Sequence, residues 1–473
     1  MDMYLGGRWV SSPKKSAVVN PNTGETIAEV PIAAADQIEA ALAAAVQGAA
    51  DMARLPVYRR VEILEKAAAG IAAHTQELAR TITAEEGKPL RESLAEVARG
   101  PDLLKLCAFE GAQLRGETLP LDAQRGVTGK LGLTLRVPCG VVLAITPFNY
   151  PLLLVLHKIG PALAAGNAVI LKPAEQTPLT ALQLVKIFLD AGLPPNALQC
   201  VTGPGEVVGL PLTADPRVRK ISLTGSTAAG EAITKSAGVK RLSLELGSNA
   251  AVVALADADP SEVAAAVKVA GYVNAGQVCI SAQRVLVHER AYADFLDALK
   301  KEVEEIRVGD PLAESTQLSA MVSETAAKRV EGWMREAVQQ GARLVTGGAR
   351  ERALLAPTVI ADVRPHMRVF RQELFGPAVA VTRVATVDEA IRLVNDSEYG
   401  LAAGIFTRDM QHALRFASKV EAGNIMVNST PLWRADLMPY GGLKRSGFGK
   451  EGPRYALEEM TELKTIVFHG LES

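Results

Sequence analysis

Apolar positions recur at two different periods along this 473-residue chain. Between residues 36 and 110 they fall three and four apart among alanines and charges, as in ADQIEAALAAAVQGAADMARL and YRRVEILEKAAAGIAAHTQELARTI. That spacing predicts amphipathic helices, ended by Gly and Pro signals such as EEGKPL. Around Val127–Val137 the string VTGKLGLTLRV alternates instead, which predicts strands of a hairpin. From Gly140 onward short apolar runs (GVVLAIT, NAVILKP, ALQCVTG, VRKISLTG) alternate with helical stretches such as LLLVLHKIGPALAAG and LTALQLVKIFLDAG. A second series follows residue 279, with RVLVHE, AYADFLDALKKEVEEI, ALLAPTVIADV and PAVAVTRV. Repeated βα units predict an α/β fold: a doubly wound parallel sheet followed by a second α/β domain.

Length alone calls for two or three domains. Lys plus Arg number 51 against 52 Asp plus Glu, so no charge surplus marks the chain for nucleic acid or an anionic membrane. The uncharged run from Cys139 to Leu156 approaches the length of a membrane span. Pro147, Asn149, Tyr150 and Pro151 divide it, however, into a buried strand, a polar turn and a buried helix. The opening MDMYLGGRWV lacks a signal-peptide layout. Four scattered cysteines (107, 139, 200 and 279) show neither CxxC spacing nor a disulfide framework, and the six histidines show no metal-ligand spacing. The expectation is a cytoplasmic protein without a metal, with His157 on a helix facing its own domain.

Three strand ends carry chemistry suited to a dinucleotide, because open parallel sheets bind ligands beyond the carboxyl ends of their strands. After VRKISLT, Gly225 and Ser226 open a helix whose amides and hydroxyl can meet a phosphate. TGPGEVVG brings Gly205 to another such turn, and an ordinary turn is the competing explanation for both. In AVILKPAEQTP, Lys172 and Glu175 follow a buried strand. A carboxylate there suits ribose hydroxyls and repels a 2′-phosphate, whereas a solvated loop pair is the bland alternative. VNAGQVCIS sets Cys279 after an Asn-Ala-Gly-Gln break with no histidine within eight positions. Buried cysteines mostly pack as small hydrophobes, and a nucleophile needs partner chemistry from elsewhere in the chain.

Eight strings supply that chemistry in one order: TPFNYP, HKIGPALAAGNAVILKPAEQTP, LTGSTAAG, LELGSNA, NAGQVC, QELFGP, NDSEYGLAAGIFT and MPYGGLKRSGFGKEG. Over essentially its whole length the chain resembles the aldehyde dehydrogenase superfamily. The resemblance implies Cys279 as nucleophile, Glu245 as general base and the Asn149 amide as oxyanion donor. It implies cofactor contacts at Lys172 and Glu175 on the adenine ribose, Gly225 and Ser226 at the pyrophosphate, and Glu373 with Phe375 at the nicotinamide. Thr146, Pro147, Phe148, Gly205 and Leu246 complete that set. NAD is the preferred cofactor, with NADP the alternative.

The domains implied are 1–117 with 139–247 for the dinucleotide and 248–445 for catalysis. A small β oligomerisation arm of 118–138 with 458–473 implies a homodimer or homotetramer. Two departures stand out. Ser248 replaces a usual glycine, and Val278 stands where relatives acting on phosphate-bearing aldehydes often carry arginine. The implied reaction oxidises a small aldehyde to its acid through a cysteine thioester, nearest the lactaldehyde and glycolaldehyde dehydrogenase branch. A small anionic aldehyde (succinate semialdehyde, a sulfo- or phosphono-aldehyde) is the alternative, with Arg99 or Arg434 on its tail unless each is an ordinary ion pair. Tyr150 and Trp433 line the entrance or simply pack. A CoA-acylating relative and a catalytically silent homologue are the remaining rivals.

Overall fold

The computed structural model describes residues 1–470; the last three residues of the expected 458–473 arm lie outside them. Eight strands form the first sheet, with Met3–Leu5 and Arg8–Val10 at one edge and Gly447–Phe448 at the other. Its five central strands run parallel, in the spatial order Leu198–Cys200, Ala168–Lys172, Val141–Ile145, Val218–Thr224 and Arg241–Glu245. Strands covered by helices on both faces are nearly continuous apolar runs, and every residue of AVILK is buried, its terminal Lys172 included.

Register decides where the site forms. Ile145 pairs with Lys172, Leu223 with Ile145, and Thr224 with Glu245. The carboxyl ends of four strands therefore finish level, and the segments 146–150, 173–175, 225–226 and 246–248 emerge along one sheet edge.

The second sheet has seven strands, of which only Arg343–Thr346 runs antiparallel to its neighbour. Ala251 is level with Arg284 and Ala403, and Arg284 with Ala380. This sheet begins six residues after the first one's last parallel strand. Its amino edge, carrying the segments before Ala251–Ala254, Arg284–His288 and Ala378–Val384, therefore faces the carboxyl edge of the first sheet. The cleft between those edges holds Asn149, Glu245, Cys279 and Glu373.

A third sheet pairs all nine residues of Thr461–His469 with Lys130–Pro138, whose far end also pairs with Thr118–Leu119. The alternating stretch near 127–137 is thus one long strand, because its main partner comes from the chain's other end. Leu131, Leu135, Leu463 and Phe468 stay exposed on this sheet. Among the described residues no helix is long and apolar enough to cross a membrane, and no group of three or more His, Cys, Asp or Glu is placed to hold a metal ion.

Candidate active site

The Asn-Ala-Gly-Gln break does structural work. Asn274, Ala275 and Gly276 all take left-handed backbone angles (φ 50, 51 and 69°). For a residue with a Cβ that conformation costs roughly 1–2 kcal/mol, so something must hold it. Glu92 Oε2 accepts from Asn274 N at 2.8 Å, Asn149 O accepts from Asn274 Nδ2 at 3.1 Å, and Gln277 Oε1 accepts from Val322 N at 2.9 Å. Only glycine suits position 276, where a Cβ would lie 2.1 Å from Gly376 O. The turn delivers Cys279 to the cleft half-buried, with its Sγ 3.2 Å from Tyr440 Oη.

The resemblance-based site residues come together here. Asn149 is buried and donates from Nδ2 to Gln277 O at 2.7 Å, which leaves its second amide hydrogen free. Among the described residues its Oδ1 has no partner, nor has either carboxylate oxygen of buried Glu245. Burial first, then the charge of Glu451, raises Glu245 well above the usual carboxylate range, against Lys158, Arg434 and Lys450. Burial also pushes the Cys279 thiol up to about 12; the Tyr440 hydrogen bond and Arg434 pull it down, and Glu373 and Glu245 add to the rise.

On the cofactor side, Ser248 N donates to Glu373 Oε1 at 2.8 Å, and burial raises Glu373 to about 7. A Cβ on Gly247 would sit 2.6 Å from Glu373 Oε2, so a side chain there would push that carboxylate aside. Ser248 has no such restriction: it meets Glu373 through its backbone, so the exchange for glycine leaves that contact intact. Phe375 (φ 48°) packs edge-on against Phe148, with ring centroids 5.9 Å apart. Thr146 N bonds Lys172 O, and Pro147 is half-buried beside it. Lys172 is buried and donates to Pro173 O, while burial lowers its pKa. Exposed Glu175 accepts from Gly205 N at 3.3 Å, Ser226 Oγ caps the helix Thr227–Ser236, and Gly225 N bonds Glu245 O. Leu246 packs beneath Gly230. These donors, acceptors and small residues on one sheet edge fit a dinucleotide.

The residues suggested for a substrate tail are differently placed. Arg99 is no free guanidinium, since it grips Asp436 through two hydrogen bonds of 2.5 and 3.2 Å. Arg434 donates to Glu451 Oε2 at 3.0 Å and stacks 3.9 Å from the Tyr440 ring centroid. Tyr150 lies under the Lys88 ammonium, 4.2 Å from its ring centroid, and Trp433 is exposed. His157 does not face only its own domain: it bonds Asp436 and Arg434, both from a loop some 280 residues away.

Sequence reasoning missed Tyr440, Lys88, Glu96, Lys158 and Glu451. Lys158 bonds Glu451 Oε1 at 3.3 Å, and against burial Lys158 and Arg434 hold Glu451 down at about 2. The available signal was Lys158 itself, a charge inside the otherwise apolar run LLLVLHKIGPALA.

Residues 9–466 match the family model described as the aldehyde dehydrogenase family. A 3-sulfolactaldehyde dehydrogenase of Priestia megaterium is 44% identical over 99% of this chain and 98% of its own length. A lactaldehyde dehydrogenase of Methanococcus aeolicus is 36% identical over 98% of this chain and 99% of its own. Among solved structures, NADP-dependent glyceraldehyde-3-phosphate dehydrogenase from Bacillus halodurans, complexed with NADP, superposes with a TM-score of 0.97. It is 34% identical and covers 99% of each chain. With matches spanning nearly every residue, this chain belongs to the aldehyde dehydrogenase family and is an NAD(P)-dependent oxidoreductase of small aldehydes.

Proposed function

We propose that the chain oxidises a small aldehyde to its carboxylic acid with Cys279 as nucleophile, Asn149 as oxyanion donor and Glu245 as general base. One observation carries the reading: Glu245 is buried, neither of its oxygens has a partner, and its charge bears on the Cys279 sulfur. A buried carboxyl left unsatisfied costs stability, and a raised pKa makes its carboxylate a stronger base.

Cys279 gives up its proton to solvent water as Sγ adds to the carbonyl carbon, and the resulting oxyanion meets the free amide hydrogen of Asn149. NAD(P), when bound, accepts the hydride. Water then attacks the Cys279 thioester; Glu245 takes its proton, the C–S bond breaks and the acid leaves. Lys172, Glu175, Gly205, Gly225 and Ser226 would hold the adenosine and pyrophosphate. Thr146, Pro147, Phe148, Leu246, Glu373 and Phe375 would line the nicotinamide end. Glu175 would repel a 2′-phosphate, which favours NAD over NADP.

For the substrate we infer a hydroxyaldehyde of the lactaldehyde or glycolaldehyde kind. One observation favours a second reading, an aldehyde with an anionic tail. Two largely buried cations, Lys158 and Arg434, share the single carboxylate of Glu451, whose backbone pairs with that of Tyr440. The uneven balance leaves room for one further negative charge. Steady-state assays of neutral and anionic C2–C4 aldehydes, each with NAD and with NADP, separate the two. Turnover of the anionic aldehydes alone refutes the lactaldehyde reading, and CoA-dependent turnover refutes hydrolysis. The strand pair Lys130–Pro138 and Thr461–His469, with its exposed leucines, is the face we assign to assembly as a dimer or tetramer.

A further inference from the structure

We propose that the Tyr440 hydroxyl is a catalytic hydrogen-bond donor to the Cys279 sulfur, favouring the thiolate both as it attacks the aldehyde and as it leaves the thioester. This deepens the reading of Cys279 as nucleophile and rests on it.

Tyr440 is 3% exposed, and its Oη stands 3.2 Å from Cys279 Sγ, the one hydrogen-bond partner of that hydroxyl among the described residues. A phenol keeps its proton at neutral pH and must donate it somewhere. A neutral thiol accepts weakly, whereas a thiolate accepts a charge-assisted bond about twice as strong as a neutral one. The contact therefore strengthens as sulfur gains charge, which is the condition for lowering a barrier rather than only binding.

The position of the ring is fixed independently of the sulfur. Tyr440 N bonds Glu451 O at 3.1 Å, and Glu451 N bonds Tyr440 O at 2.7 Å. The Glu451 side chain in turn anchors Arg434, whose guanidinium lies 3.9 Å from the Tyr440 ring centroid. A cation on the ring face draws density from it and makes the hydroxyl a better donor.

The other charged groups acting on the sulfur are Arg434, which favours ionisation, and Glu373 and Glu245, which oppose it. Those acting on Tyr440 are Cys279, Arg434 and Glu245. Lys158 and Lys450 act on the neighbouring Glu245. No other hydroxyl or ammonium among the described residues bonds the sulfur, so a ring without its hydroxyl would fill the space and leave the thiolate without this donor. In thioester hydrolysis the breaking C–S bond returns its electron pair to sulfur, and Tyr440 donates to it while keeping its own proton.

The test is the rate of iodoacetamide alkylation at Cys279 from pH 7 to 9, with the labelled residue identified by peptide mass spectrometry, for the unaltered enzyme and Tyr440→Phe. Burial holds the thiol midpoint up at about 12, so across that window the rate follows the thiolate fraction. Loss of a hydrogen bond to a charged group should make alkylation of Tyr440→Phe about 10–100-fold slower. Placing 3-fluorotyrosine at position 440 retains the fold and makes a stronger donor, so its alkylation should be faster. An unchanged rate at Cys279 in either variant overturns the role of Tyr440 alone. Label on Cys107, Cys139 or Cys200 of the unaltered enzyme, with none on Cys279, overturns the nucleophile assignment and this proposal with it.

Discussion

Lys88→Met removes a cation that touches the catalytic cleft from behind. Lys88 Nζ lies 2.8 Å from Glu96 Oε2 and donates to Asn149 O at 2.6 Å, and both side chains are almost wholly inaccessible. Glu96 Oε1 meanwhile accepts from Leu152 N and Leu153 N, the entry to the helix Leu153–Ala164. Breaking a buried ion pair from one side costs about 3–5 kcal/mol, because the remaining charge is stranded. With an unfolding entropy of about 2.1 cal/mol/K per residue, that corresponds to a Tm lower by roughly 3–5 °C for a chain of this length unfolding as one unit.

Adding Glu96→Gln neutralises the stranded acid, so the double variant should regain most of the loss in a thermal melt. Activity should not return with it. Asn149 O keeps only the 3.1 Å bond from Asn274 Nδ2, so the backbone that carries the side-chain amide loses its tightest anchor. We expect kcat about tenfold lower in both variants, or about 1.4 kcal/mol. Outright loss of an oxyanion donor costs more, about 2.7–4 kcal/mol. Wild-type kcat in Lys88→Met, or a double variant no more stable than the single one, would refute the reasoning.

Asn149→Ala should lower kcat by about 10²–10³-fold with little change in KM, measured by steady-state NAD(P)H formation; a KM effect alone would assign the amide to ground-state binding. Glu245→Gln should still release one equivalent of NAD(P)H per site in a rapid burst and then turn over slowly, which stopped-flow absorbance will reveal. A variant without a burst would place Glu245 before thioester formation. Stability should depend on the buried carboxyls, since burial raises Glu85, Glu92 and Glu373 to about 7 and Glu86 to about 8. With native pKa values above those of the unfolded chain, the native state holds more protons, so this contribution is full below about pH 4.3 and is lost as pH rises toward 8. Urea midpoints of Glu86→Gln should vary less over that window than those of the unaltered protein.

Much of this architecture was legible because its strands are apolar runs and its loops carry specific strings. The order of strand and helix along residues 140–245 followed from hydrophobic alternation alone. What escaped were contacts between residues far apart in sequence. The string EEGKPL reads as a helix-ending signal among amphipathic helices, yet Glu85, Glu86, Lys88 and Glu96 are buried. They satisfy backbone groups of Leu179 and Thr180, Asn149, and Leu152 and Leu153, which no local pattern reports. For Arg99 and Arg434 an ion pair is already one of two readings of the sequence, and Asp436 and Glu451 supply it from elsewhere in the chain. Tyr440 stands in the string MPYGGLKRSGFGKEG with nothing local to mark it, and only the fold brings its hydroxyl to the sulfur.

Turnover by this route requires an acyl group to pass through one side chain. Acid quenching during turnover of a slowly hydrolysed aldehyde, followed by intact-mass and peptide mass spectrometry, reads that directly. The predicted result is a single acyl adduct on Cys279, absent from Cys279→Ser, which should form no NAD(P)H. An adduct on another residue, or full turnover by Cys279→Ser, would contradict it.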